Sequence, residues 1–199
     1  MIKNIVFDFG GVLIDWNPRY LFRHVFADSA EMEFFLENVC TSKWNLNQDA
    51  GNPLEKGTRD LQAKFPEYYN EIELYYKNWI QMIGGDIAEN SRLVKPLKEK
   101  YRLFGLTNWS AETFPLVYEH YPFFKDLEGI VVSGTEKLIK PDKAIFDVLL
   151  KRYQLCANEC LFIDDNLDNI LASKELGFNT LHLAPQIQLE AELVRLKLL

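Results

Sequence analysis

Asp8 stands at the end of a short apolar run, Ile2–Phe7, and is followed at once by Gly10 and Gly11. Asp164 and Asp165 end a second run of the same kind, CLFID. Between them Thr107 and Asn108 close the run YRLFGLT, and Lys140 lies in IKPD, beyond the run GIVVS. Carboxylates gathered at one edge invite a hard cation, and Mg²⁺ takes about six oxygens, several of them from water and substrate phosphate. A carboxylate is also a nucleophile that can form an aspartyl-phosphate. A Thr hydroxyl, an Asn amide and a Lys ammonium neutralise a phosphoryl group while it transfers. Gly10 and Gly11 let the backbone approach a ligand closely. Taken singly, each site has a plainer reading. Asp8 suits a turn, Thr107-Asn108 suits a helix cap with Ser110 as rival, and Lys140 suits solvent. Asp164-Asp165 also suits a cap, although two adjacent charges there repel. Their order, each just after an apolar run, is what the plainer readings leave unexplained.

The elements that must position these residues are legible in outline. Ile2–Phe7 is β-branched and apolar on both faces, as a buried parallel strand requires. Tyr101–Thr107, Gly129–Ser133 and Cys160–Asp164 resemble it, and Asn179–Leu183 is a weaker fifth. Helical spacing marks Ser91–Lys100, Ala111–His120, Asp142–Tyr153, Asn166–Leu176 and Ile187–Leu198. From residue 91 onward strands and helices alternate, the pattern of an α/β doubly wound, mostly parallel sheet of Rossmann type. Its strand carboxyl ends converge on one edge. Residues 16–90 differ: they are helical in pattern and aromatic, hold Trp16, Trp44 and Trp79, and contain no convincing buried strand. The expected organisation is a core of residues 1–15 and 91–199 with a helical cap, residues 16–90, inserted over the carboxyl edge.

Composition limits the partners. The 199 residues are 48% hydrophobic and 26% charged, which is ordinary for a globular chain. The 22 Lys and Arg against 29 Asp and Glu leave a net charge of −7, which argues against nucleic acid. Cys40, Cys156 and Cys160 are sparse and odd in number, as expected in a reducing cytoplasm. Neither they nor His24, His120 and His182 are spaced as a metal site. The apolar run Ile5–Ile14 is interrupted by Asp8, Gly10 and Gly11 and has no cationic flank, unlike a signal peptide. No stretch reaches the ~20 apolar residues of a membrane span. A monomer and a homodimer are both compatible with the cap's aromatics. Asp8-Phe9-Gly10 spells a kinase-like triplet, but no glycine-rich loop precedes it.

The four sites, in this order and with a helical insertion after the first, resemble the haloacid dehalogenase superfamily, whose members are mostly phosphatases. The resemblance spans Asp8 to Asp165. It implies that Asp8 is the nucleophile and binds Mg²⁺ together with the Gly10 carbonyl and Asp165, with Asp164 supporting the metal from nearby. Thr107, Asn108, Lys140 and Gly11 would hold phosphate, and Lys140 would also steady the charge on Asp8. The substrate would be a small phosphate ester. One position departs from the pattern: the family's phosphatase motif is Asp-x-Asp, whose second Asp is the general acid and base, and here Gly10 stands in its place. A positioned acid–base contributes roughly 10²–10⁴-fold. The departure favours a leaving group that needs little protonation, such as an anomeric sugar phosphate, or a substitute acid, with Asp15 or a cap residue as candidates. The chain is similar in this respect to the branch of bacterial glucose-1-phosphate phosphatases, which share an Asp-x-Gly arrangement. Two alternatives remain at this level. One is a 2-haloacid dehalogenase-type hydrolase, which needs no metal. The other is a non-catalytic phosphate-binding or interaction module. Trp16, Asn17, Arg19, Trp44, Trp109 and His24 are candidates for lining the substrate entrance.

Overall fold

The computed structural model describes residues 1–199. Its centre is a five-stranded sheet of β1 (Asn4–Phe7), β4 (Arg102–Thr107), β5 (Gly129–Val132), β6 (Cys160–Asp164) and β7 (Asn179–His182). The spatial order is β5-β4-β1-β6-β7, and every pairing is parallel. The chain starts in the middle strand, builds outward on one side through β4 and β5, and then returns to build the other side. That reversal opens a crevice at the carboxyl ends of the central strands, where α/β sheets bind ligands.

The strands alternate between two apolar layers, as the two-residue side-chain period demands. Val6, Phe104, Leu106, Val131 and Phe162 face one layer, filled by Ile145, Phe146 and Leu149 of the Lys143–Tyr153 helix and by Ile170 of the Leu167–Glu175 helix. Ile5, Phe7, Leu103, Leu161 and Ile163 face the other, with Val94, Leu97, Leu189 and Leu193. Each expected strand of the sheet is present, trimmed by one or two residues at most. The expected helices are shorter. Ser91–Lys100 becomes two turns, Ala88–Ser91 and Val94–Lys98, and Ala111–His120 is helical only over Phe114–Tyr118. Pro96 and Pro115 can donate no backbone hydrogen bond, which restricts them to the first turns of these short pieces.

Between the first strand and the rest of the sheet the chain forms a helical insertion. Its main helices are Ser29–Asn38, Ser42–Asp49, Leu54–Lys64 and Tyr69–Lys77. The insertion stands on a two-stranded antiparallel ribbon, β2 (Ile14–Trp16) with β3 (Ile83–Asp86), where Ile14 pairs with Asp86 and Asp15 with Gly85. The sequence pattern hid this ribbon. Its strands are three and four residues long, and Gly84-Gly85 reads as a turn. Gly84 serves packing instead, because a Cβ there would overlap the Asp15 carboxylate and the Tyr20 ring. The insertion's aromatics, among them Phe22, Phe35, Tyr75 and Trp79, are continuous with the second apolar layer of the sheet.

The first layer hangs on Phe146, which is fully buried, meets Phe162 edge-on at 5.4 Å and lies 5.8 Å from Phe178. Phe146→Ala is expected to cost about 3–5 kcal/mol by lost burial and a residual cavity. Urea unfolding checks this; a loss below about 1 kcal/mol would mean that the layer closes over the gap.

Candidate functional site

β1 lies between β4 and β6, with Phe7 opposite Gly105 on one side and Ile163 on the other. The residues that follow these strands therefore meet. Asp8 leaves β1, Thr107 ends β4, and Asp164 ends β6. Lys140 arrives from the loop after β5 and is sealed from solvent. Its Nζ lies 2.9 Å from Asp8 Oδ1 and 2.7 Å from Asp164 Oδ2. Asn108 grips the same residue by its backbone: the Asn108 amide donates to the Lys140 carbonyl at 2.9 Å and accepts from its N–H at 2.8 Å. The aliphatic stem of Lys140 is thus drawn inward, and its ammonium also sits 5.4 Å from the centre of the Phe162 ring.

Burial disfavours the charged forms of these groups, and the pairing opposes it. Lys140 loses hydration, but Asp164 and Asp8 together outweigh that loss and raise its pKa, so the ammonium stays protonated. Asp8 is pushed up to about 7, chiefly by burial, against the downward pull of Lys140. Asp164 is fully buried and saturated with donors. It accepts from Lys140, from the Asn166 N–H at 2.8 Å and from the Asn169 amide at 3.0 and 3.1 Å. Asn166 in turn caps the Leu167–Glu175 helix by accepting from Asp168 N–H. Asp165 is the exposed member of the trio, and His182 on β7 contacts its backbone oxygen at 2.9 Å.

Oxygens of Asp8, Asp164 and Asp165 lie within 4.8 Å of one another. When ionised, three carboxylates and one ammonium leave the cluster with two surplus negative charges, which suits a divalent cation. All the donors are hard oxygens, as Mg²⁺ prefers. A cation there would act on Asp8 in the same sense as Lys140, holding it ionised. Gly11 provides clearance for this arrangement: it sits at φ 70°, and a Cβ there would overlap Asp165 Oδ2. Its N–H donates to the Ile14 carbonyl at 2.9 Å.

Asp8 opens onto a small cavity of about 100 Å³ between core and insertion. Gly10, Asn108 and Trp109 line it from the core, and Trp16, Asn45, Asp49 and Trp79 from the ribbon and insertion. Of the expected entrance residues, Trp16 and Trp109 are there. Trp44 is not: it packs on Tyr75 and Tyr76 and donates to the Gly57 carbonyl. Arg19 pairs with Glu33, the Asn17 side chain accepts from the Arg19 N–H, and His24 is exposed beside Arg23. Ser110, not Thr107 or Asn108, caps the turn after β4 by accepting from Glu112 N–H. Asp15 does not line the cavity, and its carboxylate accepts from Tyr20 OH at 2.7 Å.

Four residues at or behind the site were missed from sequence. Asn169 follows Asn166 at helical spacing, so it shares a face with the cap, a signal that was readable. His182 carries no motif, and its contact depends on β7 pairing with β6. Asn45 and Asp49 are four residues apart on one helix face and carry no motif; only the folded insertion brings them to Asp8.

A parallel α/β sheet with an acidic trio and a buried lysine at its carboxyl edge, beneath a helical insertion, is the arrangement that the family resemblance implies. The chain belongs to the haloacid dehalogenase-like hydrolases, whose sequence model matches residues 2–177. It is 25% identical to a sesquiterpene phosphatase of Aspergillus oryzae over 98% of this chain and 96% of that protein. It is 24% identical to a D-ribitol-5-phosphate phosphatase of Bacteroides thetaiotaomicron, over 90% of this chain and 91% of the relative. Its fold is shared with a HAD-like family hydrolase from Porphyromonas gingivalis (TM-score 0.77, 24% identity, 99% and 98% of the two chains). It is also shared with a family enzyme of Bacteroides thetaiotaomicron in complex with magnesium and inorganic phosphate (TM-score 0.72, 22% identity, 96% and 99%). No helix of the chain is long and apolar enough to cross a membrane.

Asp49 carries a pH signature. Burial raises its carboxyl to about 7 from an ordinary 3.8, tempered by the Ser110 backbone N–H. A raised folded-state pKa means that the folded protein binds the proton more tightly. The group is therefore harmless below about pH 4, and its ionisation costs stability as the pH rises from about 4 to 7. Asp49→Asn, which cannot ionise, is expected to gain stability relative to the native chain across that window. The gain should reach as much as about 4 kcal/mol at pH 8. Denaturant melts at pH 4, 6 and 8 measure it, and a difference independent of pH would show that Asp49 titrates normally.

Proposed function

We propose that this protein is a Mg²⁺-dependent phosphatase that hydrolyses a small phosphorylated metabolite through an aspartyl-phosphate on Asp8. The carrying observation is the double environment of Asp8: one side meets Lys140 and the carboxylate trio, and the other opens on the cavity. The phosphatase names of two relatives, each matched over at least 90% of this chain, support the same reading. Asp8 would attack phosphorus from the β1 end, its charge held by Lys140 and its orientation by the strand. Lys140 stays protonated throughout and gives up no proton. Asn108, already fixed by the Lys140 backbone, and Thr107 at the end of β4 would contact phosphate oxygens. A Mg²⁺ held by Asp8, the Gly10 carbonyl and Asp165, with Asp164 behind them, would offset negative charge on the transferring group. The insertion over the cavity would exclude bulk water during the first step.

The dehalogenase-type alternative accounts poorly for the trio. Without a cation, three neighbouring carboxylates share one ammonium, and like charges oppose one another's ionisation. The substrate is bounded by the cavity, which admits a phosphoryl group with a small part of its ester at a time. Gly10 by itself favours an ester whose oxygen leaves readily, and a sugar 1-phosphate has such an oxygen; this is the feature shared with the glucose-1-phosphate phosphatase branch.

With an aryl phosphate as substrate, the native protein is expected to turn over in Mg²⁺ and to stop in EDTA. Asp8→Asn is expected to lose roughly 10³-fold or more. Turnover that survives EDTA or Asp8→Asn would overturn the reading.

A further inference from the structure

A phosphatase working through Asp8 needs a proton for the oxygen that leaves, and Gly10 has none to give. We propose that Asp49, reaching the cavity from the insertion, is the general acid that protonates the leaving oxygen and the base that then activates water. This assignment rests on the phosphatase reading above.

Three features of the cavity carry it. First, Asp49 and Asp8 line the same small space, the only two carboxyl groups that do so. Gly10 lines it as well, and a Cβ on Gly10 would meet nothing within 4 Å. The room that a second core carboxylate would fill is therefore open toward Asp49. Second, Asp49 is held as a catalytic group must be. It ends the Ser42–Asp49 helix, and its backbone carbonyl accepts from Ser133 Oγ at 2.5 Å. Ser133 is buried at the end of β5 and also accepts from Trp109 N–H at 2.8 Å, so the insertion's acid is tied to the core's own loops. Its Oδ2 accepts from the Asn45 amide at 2.9 Å, and Tyr76 OH donates to Asn45 Oδ1 at 2.9 Å, which fixes the amide's orientation. Third, no cation pairs with Asp49. The titratable groups around it include Tyr75 and Tyr76 from the neighbouring helix, Cys40 and Glu112 beside those tyrosines, and Asp8 across the cavity. None of these favours its charged form. A buried carboxyl without a cationic partner keeps its proton near neutral pH, the condition for a general acid. Asp15, the other candidate, is occupied by Tyr20 and packed against Gly84, and it does not line the cavity.

An Asp8 oxygen forms a bond to phosphorus as the bond from phosphorus to the ester oxygen breaks. The electron pair stays on that oxygen, which takes the Asp49 proton and leaves as the alcohol. Asp49, now a carboxylate, accepts a proton from water as the water oxygen attacks phosphorus. The bond to Asp8 breaks, phosphate departs, and both carboxyl groups return to their starting states. With Asp49 in this role, unactivated alkyl esters are substrates, and the preference for a sugar 1-phosphate that Gly10 alone implies is not required.

The test is the dependence of kcat/KM on the leaving group, measured with Mg²⁺ on 2,4-dinitrophenyl phosphate, 4-nitrophenyl phosphate and an alkyl ester such as a hexose 6-phosphate. In the native protein kcat/KM is expected to vary little along this series. In Asp49→Asn the alkyl ester is expected to lose roughly 10²–10⁴-fold. The dinitrophenyl ester, whose leaving group needs no proton, should lose far less, so the ratio between the two shifts at least 10²-fold. An equal loss on every ester, or none, overturns the assignment. So does a native protein whose kcat/KM already falls steeply with leaving-group pKa, a result that requires no variant to fold. Absence of Mg²⁺-dependent turnover on any ester by the native protein is a different failure, because it removes the phosphatase reading itself.

Discussion

The Lys140 ammonium, sealed between Asp8 and Asp164, is the contact on which the site depends. A lone charge at that depth would cost several kcal/mol, and the pairing with two carboxylates is what makes it tolerable. The arrangement constrains everything around it. Asp8 and Asp164 must be neighbours, so β1 and β6 must pair. Lys140 must enter from the far side of β4, so its backbone needs a fixed anchor, which Asn108 provides with both ends of its amide. Asp164 must satisfy its remaining lone pairs, and Asn166 and Asn169 at the start of the next helix do so. Because Lys140 neutralises only part of the acidic charge, the site remains poised for a divalent cation.

A second constraint runs between core and insertion. The insertion is attached through a short antiparallel ribbon, yet its apolar residues are continuous with one face of the sheet, and Trp79 lies 5.5 Å from Trp109 between ring centres. The contact that aligns the two at the cavity is polar: Ser133 at the end of β5 bonds at once to the loop after β4 and to the helix that bears Asp49. The backbone that carries Asp49 is thereby tied to the core. This is how the chain can differ from its family's usual motif at Gly10 and still present a carboxyl on the opposite wall of the cavity.

Much of this was legible in the amino-acid sequence for a local reason. Buried parallel strands are continuous apolar runs, and the polar residues that end them mark the functional edge of the sheet. That pattern determined the α/β class and all five sheet strands, and it put Asp8, Thr107, Asn108, Asp164 and Asp165 at strand carboxyl ends and Lys140 in the loop beyond β5. The tertiary structure decided what depends on contacts between distant segments. Lys140 reads as a solvated lysine until β5 and β6 bring its ammonium onto two carboxylates. The ribbon of β2 and β3 is too short to show a period. Asn45 and Asp49 belong to no motif, because a side chain that approaches from an inserted helix owes its position to packing and to Ser133, 84 residues away in the chain, and not to its neighbours in sequence.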